Sequence, residues 1–131
     1  MTEKKIKILV IDDKEELLML VAVIFEDTGY EIIGLKNSLE AFETAIKEQP
    51  DVIILDIMMP KMDGWEVFKK IKGNPLTAHT PVLILSVMAD REEAEKGKEM
   101  GADAIMRKPF EPNKLIKIVN KILNTEEKHS V

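Results

Sequence analysis

Residues 51–56 read DVIILD, an unbroken β-branched and leucine run closed by an acid, and the fold follows from how that pattern recurs. A short continuous apolar run of this kind is a strand buried on both faces, as in a parallel sheet. The pattern has appeared once before, as IKILVI at 6–11 ending in Asp12-Asp13, and it returns as PVLILS at 81–86. Weaker strands fit at about 31–35 and 103–107.

Between these runs the apolar period changes from strand to helix. From Lys14 to Thr28, Leu17, Leu18, Val21, Ile24 and Phe25 recur at helical spacing, and Gly29 suits the left-handed position after a helix. Ser38 is the expected N-cap of a helix presenting Leu39, Phe42 and Ile46, which Pro50 closes. After the loop MMPKMDG (58–64), Trp65, Phe68 and Ile71 mark a third helix, halted near Gly73, Asn74 and Pro75. A polar helix over 89–100 ends at Gly101. A last helix starts near Pro112 with Leu115, Ile118, Val119 and Ile122 facing inward.

Five strands alternating with five helices predict an α/β fold: a doubly wound five-stranded parallel sheet with helices on both faces. The 131 residues fit one domain, expected over 1–124, with 125–131 (TEEKHSV) as a C-terminal tail. A 45% hydrophobic and 33% charged composition argues against intrinsic disorder. The absence of cysteine excludes disulfides and thiolate metal sites. The first apolar run stops too early for a signal peptide, and no run approaches the roughly 20 residues of a membrane span, so a cytoplasmic protein without membrane insertion is expected. A net charge of −5 and 5% aromatic content argue against direct binding of nucleic acid.

In a doubly wound sheet, ligands bind beyond the carboxyl ends of the strands, near the point where strand order reverses. With order 2-1-3-4-5, Asp12-Asp13, Asp56, Ser86 and Lys108 end four strands along one edge. Taken singly, each has a plainer role: a helix-capping acid, a loop hydroxyl, a solvated lysine. Together they place three carboxylates, a hydroxyl and an ammonium in one site. Carboxylates so crowded repel unless a cation joins them, and Mg²⁺ takes hard oxygen ligands and completes its shell with phosphate. Lys108 can meet a phosphoryl oxygen and Ser86 can donate to another. Phosphoryl transfer is largely positioning and charge neutralisation, so these parts suffice. Asp56 is the better nucleophile, since the adjacent Asp12 and Asp13 are suited to share a metal.

The motifs VIDD (10–13), LDIMMPKMDG (55–64), ILS (84–86), GAD (101–103) and KPF (108–110) closely resemble those of response-regulator receiver domains, over about residues 5–124. The resemblance implies the flavodoxin-like receiver fold, with Asp56 as phosphoacceptor. It implies Mg²⁺ bound directly by Asp13, Asp56 and the backbone carbonyl of Met58, with Asp12 acting through water. It further implies that Ser86 and Lys108 contact the phosphoryl group and that the Lys108-Pro109 peptide is cis. The donor would be a histidine kinase or histidine phosphotransfer protein. The target would be a downstream protein docking on the face of the fourth helix, fifth strand and fifth helix. Such domains are not turnover enzymes and promote only their own phosphorylation and dephosphorylation. Switching a two-state domain takes about 5.5 kcal/mol of differential binding. Two charge-assisted hydrogen bonds at about 1.5–3 kcal/mol each are of that order.

Two positions stand out against the family pattern. Ile105 occupies the place, three residues before the lysine, that usually carries the Tyr or Phe whose rotation reports phosphorylation. Met58 and Met88, each two residues beyond a site residue, are expected to exclude water and prolong the acyl phosphate, or simply to fill space. His79 and His129 are expected at the surface. Trp65, Phe42 and Phe25 are expected to pack in or beside the core, and the charged run at 91–99 to be a solvated helix face. Three rival classes are discriminated by sequence. An aspartate-nucleophile, Mg²⁺-dependent phosphohydrolase carries a DxD-type motif on its first strand. A flavodoxin-like FMN binder needs a Ser/Thr/Gly-rich phosphate loop where this chain has DDKEE (12–16). A phosphorylation-independent interaction module typically loses an acid or the lysine.

Overall fold

The structure, a computed structural model, describes residues 5–58, 63–87 and 90–129, the side chains of 125–129 excepted. Five strands, β1 (Lys7–Ile11), β2 (Glu31–Leu35), β3 (Val52–Asp56), β4 (Val82–Ser86) and β5 (Ala104–Arg107), alternate with five helices. These are α1 (Glu15–Ile24), α2 (Ala41–Glu48), α3 (Gly64–Lys72), α4 (Arg91–Met100) and α5 (Pro112–His129). All strand pairs are parallel, in the order β2-β1-β3-β4-β5 that the sequence implies.

Alternate residues of each strand face opposite sides of the sheet. Leu9, Ile11, Ile53, Leu55, Val82 and Ile84 meet Ala41 and Ala45 of α2 and Trp65, Val67, Phe68 and Ile71 of α3. Ile8, Val10, Val52, Ile54, Leu83 and Leu85 meet Val21 and Phe25 at α1 and Leu115, Val119 and Ile122 of α5. Burying each such aliphatic side chain contributes about 1.5–3 kcal/mol, so the central strands are tied from both faces. The register aligns Ile11 with Leu55, Asp56 with Leu85, and Ser86 with Arg107. Asp12, Asp56, Ser86 and Lys108 therefore leave the sheet side by side.

Several local expectations are corrected. Asn37, not Ser38, is the capping residue, its side chain accepting from the Leu39 amide at 3.0 Å. Ser38 begins a 3₁₀ turn (Ser38–Glu40) and is buried. That tighter turn delays α2 to Ala41 and changes its phase, so Ala41 and Ala45 form the buried stripe. Leu39 is exposed, and Phe42 and Ile46 are half-buried. α1 ends at Ile24 and a second 3₁₀ turn (Glu26–Thr28) carries the chain to Gly29, left-handed at φ 82°. α5 runs from Pro112 to His129, and TEEKH contains no helix breaker.

Candidate functional site

Asp12 follows the last residue of β1 and is fully buried. Its Oδ1 accepts the Lys14 amide at 2.8 Å, and its Oδ2 accepts Lys108 Nζ at 2.9 Å. Asp56 ends β3 and is 2% exposed; its Oδ1 accepts the Met58 amide at 3.1 Å, and its Oδ2 lies 3.4 Å from Lys108 Nζ. Lys108, just past β5, thus forms ion pairs with both acids from a nearly buried position. Asp13 is half-buried beside them, and one carboxylate oxygen from each of the three aspartates lies within 4.8 Å of the others. Ser86 is buried at the end of β4, where its carbonyl accepts the Lys108 amide at 3.0 Å.

Charge in this site is unbalanced. Burial raises the Asp56 carboxyl above the ordinary carboxylate range and the Asp12 charge adds to that, while Lys108 and the Met58 amide oppose it. Two buried carboxylate oxygens, Asp13 Oδ1 and Asp56 Oδ2, have no hydrogen-bond partner among the described residues. Acceptors without a hydrogen bond in a cluster of three acids that shares one ammonium fit a cation, and an all-oxygen donor set suits a hard one. The three carboxylates could hold a metal ion.

Gly64 lies with its bare backbone against Asp56 and Ile57. A Cβ there would overlap Ile57 Cα and lie 2.6 Å from the Asp56 carbonyl oxygen. The bare backbone instead donates the Gly64 amide to the Ile57 carbonyl at 2.9 Å. Asp63 caps α3, accepting the Trp65 amide at 3.0 Å. Neither residue stands out from the loop MMPKMDG in the sequence, where the MDG triplet ahead of an apolar period was the available signal.

The family described as the response regulator receiver domain matches residues 8–120. The chain belongs to that family. It is 39% identical over 121 residues to the alkaline phosphatase synthesis transcriptional regulatory protein PhoP of Bacillus subtilis, covering 92% of this chain and 50% of that protein. It is 32% identical over 116 residues to the phosphate regulon transcriptional regulatory protein PhoB of Pseudomonas aeruginosa, covering 88% and 51%. The chain spans about half the length of these curated relatives. Among solved structures, the Vibrio cholerae chemotaxis protein CheY4 superposes with a TM-score of 0.85 at 33% identity, covering 92% of this chain and 100% of that one. A response regulator receiver domain protein from Clostridium thermocellum gives 0.84 at 31%, covering 93% and 97%. The aspartate cluster of this receiver domain is the arrangement typical of the family's phosphorylation site, and the family's chemistry is confined to its own phosphorylation and dephosphorylation.

The receiver's sequence-predicted site residues Asp12, Asp13, Asp56, Ser86 and Lys108 all stand at the carboxyl edge of the sheet, and the Lys108-Pro109 peptide is cis. Lys108 differs from expectation in one respect: its ammonium is already engaged by Asp12. The Met58 side chain is 53% exposed and only its amide touches Asp56. Met88, and residues 59–62 of the long motif, lie outside the described residues, as does the His129 side chain; His79 is exposed. Phe25 and Trp65 are buried in the core, Phe42 is half-buried, and Arg91 pairs with Glu95 along the exposed face of α4 at 3.5 Å. No helix among the described residues is long and apolar enough to cross a membrane.

Proposed function

We propose that Asp56 accepts a phosphoryl group from the phosphohistidine of a histidine kinase or phosphotransfer protein, with Mg²⁺ bound at the aspartate cluster. The observation that carries this is the pair of buried oxygens without a hydrogen bond among the described residues, Asp13 Oδ1 and Asp56 Oδ2, the second of them only ion-paired to a lysine it shares with Asp12. Asp13, Asp56 and the Met58 carbonyl would hold the metal, with Asp12 acting through water. The ion supplies charge neutralisation of the incoming phosphoryl oxygens. An Asp56 oxygen attacks phosphorus, the P–O bond forms as the donor's P–N bond breaks, and the departing imidazole takes a proton. In the return step water attacks phosphorus, the acyl P–O bond breaks, and inorganic phosphate leaves. Lys108 and Ser86 hold phosphoryl oxygens in both directions.

Residues 1–124 form the receiver unit, with 125–131 beyond it, working in the cytoplasm. The exposed apolar side chains Met19, Leu20 and Val23 on α1 support docking of the phosphohistidine donor on that helix. A cavity of about 470 Å³, lined by Ile105, Arg107, Phe110, Lys114 and Ile118 among others, supports a protein target on the α4-β5-α5 face. Incubation with Mg²⁺ and acetyl phosphate, read by intact-mass spectrometry or by mobility on Phos-tag gels, tests the assignment. A gain of one phosphoryl group in the wild type and none in Asp56→Asn is expected; equal modification of both would overturn it.

A further inference from the structure

We infer that the cleft between α4 and α5 along β5 is a binding site for a small organic monoanion, a carboxylate carried on an aromatic body. β5 is an edge strand of four residues, with no strand beyond it among the described residues. The helices beside it leave a recess for a local reason. α4 closes on the strand at Gly97, where a Cβ would overlap the Ile105 side chain. Three residues earlier, on the same face of the helix, stands Ala94, and its short side chain borders open space. The resulting cavity of about 470 Å³ falls within the roughly 300–1,000 Å³ of small-molecule sites.

The apolar wall of the cavity comes from both core layers. Ile105 packs with the layer under α2 and α3, whereas Phe110 and Ile118 belong to the layer under α1 and α5. All three are half-buried and meet in this recess at the sheet edge. The exposed cations Arg107 and Lys114 line it too, and neither has an ion-pair partner among the described residues. Glu111 is the acid of the lining, so two cations against one acid leave one net positive charge. A single carboxylate balances that sum; a phosphate dianion exceeds it. A guanidinium meets a carboxylate with two parallel N–H donors, and its plane and the Phe110 ring both offer flat faces to an aromatic guest. Water alone solvates the cations but gains nothing from Ile105, Phe110 and Ile118, whereas an amphipathic anion satisfies both. None of Asp12, Asp13, Asp56, Ser86 and Lys108 lines the cavity, so the site is independent of the phosphoacceptor reading.

Titration of the full chain with phenylacetate, followed by NMR of the isoleucine methyl groups, tests this. Saturable shifts of Ile105 and Ile118 are expected, with the fully buried Ile8 and Ile53 of the sheet unmoved. Neutral phenylacetamide should bind about fivefold more weakly, as should phenylacetate to Arg107→Gln or Lys114→Gln. That ratio corresponds to about 1 kcal/mol, the upper range for an exposed ion pair. Acetate, which lacks the aromatic body, should not saturate. Ala94→Leu exchanges two good helix formers at an exposed position, so it should fill the recess and abolish the shifts at an unchanged Tm. Asp56→Asn should bind phenylacetate as wild type does, so failure of the phosphoacceptor reading would leave these results in place. Shifts of Ile105 and Ile118 that never saturate would overturn the site, as would full binding by Ala94→Leu. Equal affinity for phenylacetate and its amide, or for phenylacetate and acetate, would overturn the ligand class.

Discussion

Replacing Asp56 by asparagine should stabilise the unmodified domain, and the size of the effect follows from the geometry of the cluster. Carboxylate oxygens of Asp12 and Asp13 lie within 4.8 Å of one from Asp56. At an effective dielectric constant of about 20, a like-charge pair at that distance costs about 3.5 kcal/mol. Lys108 at 3.4 Å returns about 5 kcal/mol on the same scale. Two repulsions against one attraction leave roughly 2 kcal/mol unfavourable, and solvent at half-buried Asp13 reduces this to about 1–2 kcal/mol. Asparagine keeps the shape and the acceptor for the Met58 amide without the charge.

Burial and Asp12 raise the Asp56 pKa, so the native state binds its proton more tightly than the unfolded chain does. That contribution to stability is fully present below the unfolded pKa and is lost as pH rises through the folded one. The advantage of Asp56→Asn should therefore grow as pH rises through that window. Thermal unfolding in EDTA at neutral pH should give a Tm higher by about 4–8 °C for Asp56→Asn. Mg²⁺ should narrow the gap by binding the wild type: at ten times its Kd, linkage adds about 1.4 kcal/mol. Equal Tm values in EDTA, or equal Mg²⁺ responses, would refute both the charge imbalance and the metal site.

Gly64→Ala forces a methyl into the Asp56-Ile57 backbone and should cost more than about 2 kcal/mol while slowing acetyl-phosphate labelling; unfolding and labelling rates matching wild type would show that the loop relaxes freely. Met58→Asn combined with Met88→Glu should speed loss of the acyl phosphate by admitting water, and an unchanged half-life would leave the methionines as space fillers. Lys108→Met leaves the buried Asp12 without its ammonium and should cost about 3–5 kcal/mol in EDTA, part of which Mg²⁺ restores. If urea unfolding shows no loss, the ammonium is screened by solvent and contributes nothing at rest.

The sequence made the sheet legible because its three strongest strands are buried on both faces and so are apolar without interruption. Their ends then placed Asp12, Asp13, Asp56, Ser86 and Lys108 on one edge, since register in a parallel sheet is fixed by the residues it buries. Details failed where the decisive contact is local backbone geometry: the 3₁₀ turn at Ser38–Glu40 reset the phase of α2, and no hydrophobic period announces such a turn. Nor could periodicity reveal the partners of Gly97, because a glycine that matters for what it lacks leaves no apolar signal. Lys108 is the most instructive case. Its strand-end position was readable, but its engagement at rest was not, because that depends on which neighbouring charge is left unbalanced. A lysine bound to Asp12 at 2.9 Å must give up part of that ion pair before it can meet a phosphoryl oxygen. Positive charge arriving at the aspartates lowers the cost of that exchange. If Mg²⁺ and the phosphoryl group bind as proposed, the two sites would be coupled through Lys108, with occupancy of the first easing formation of the second.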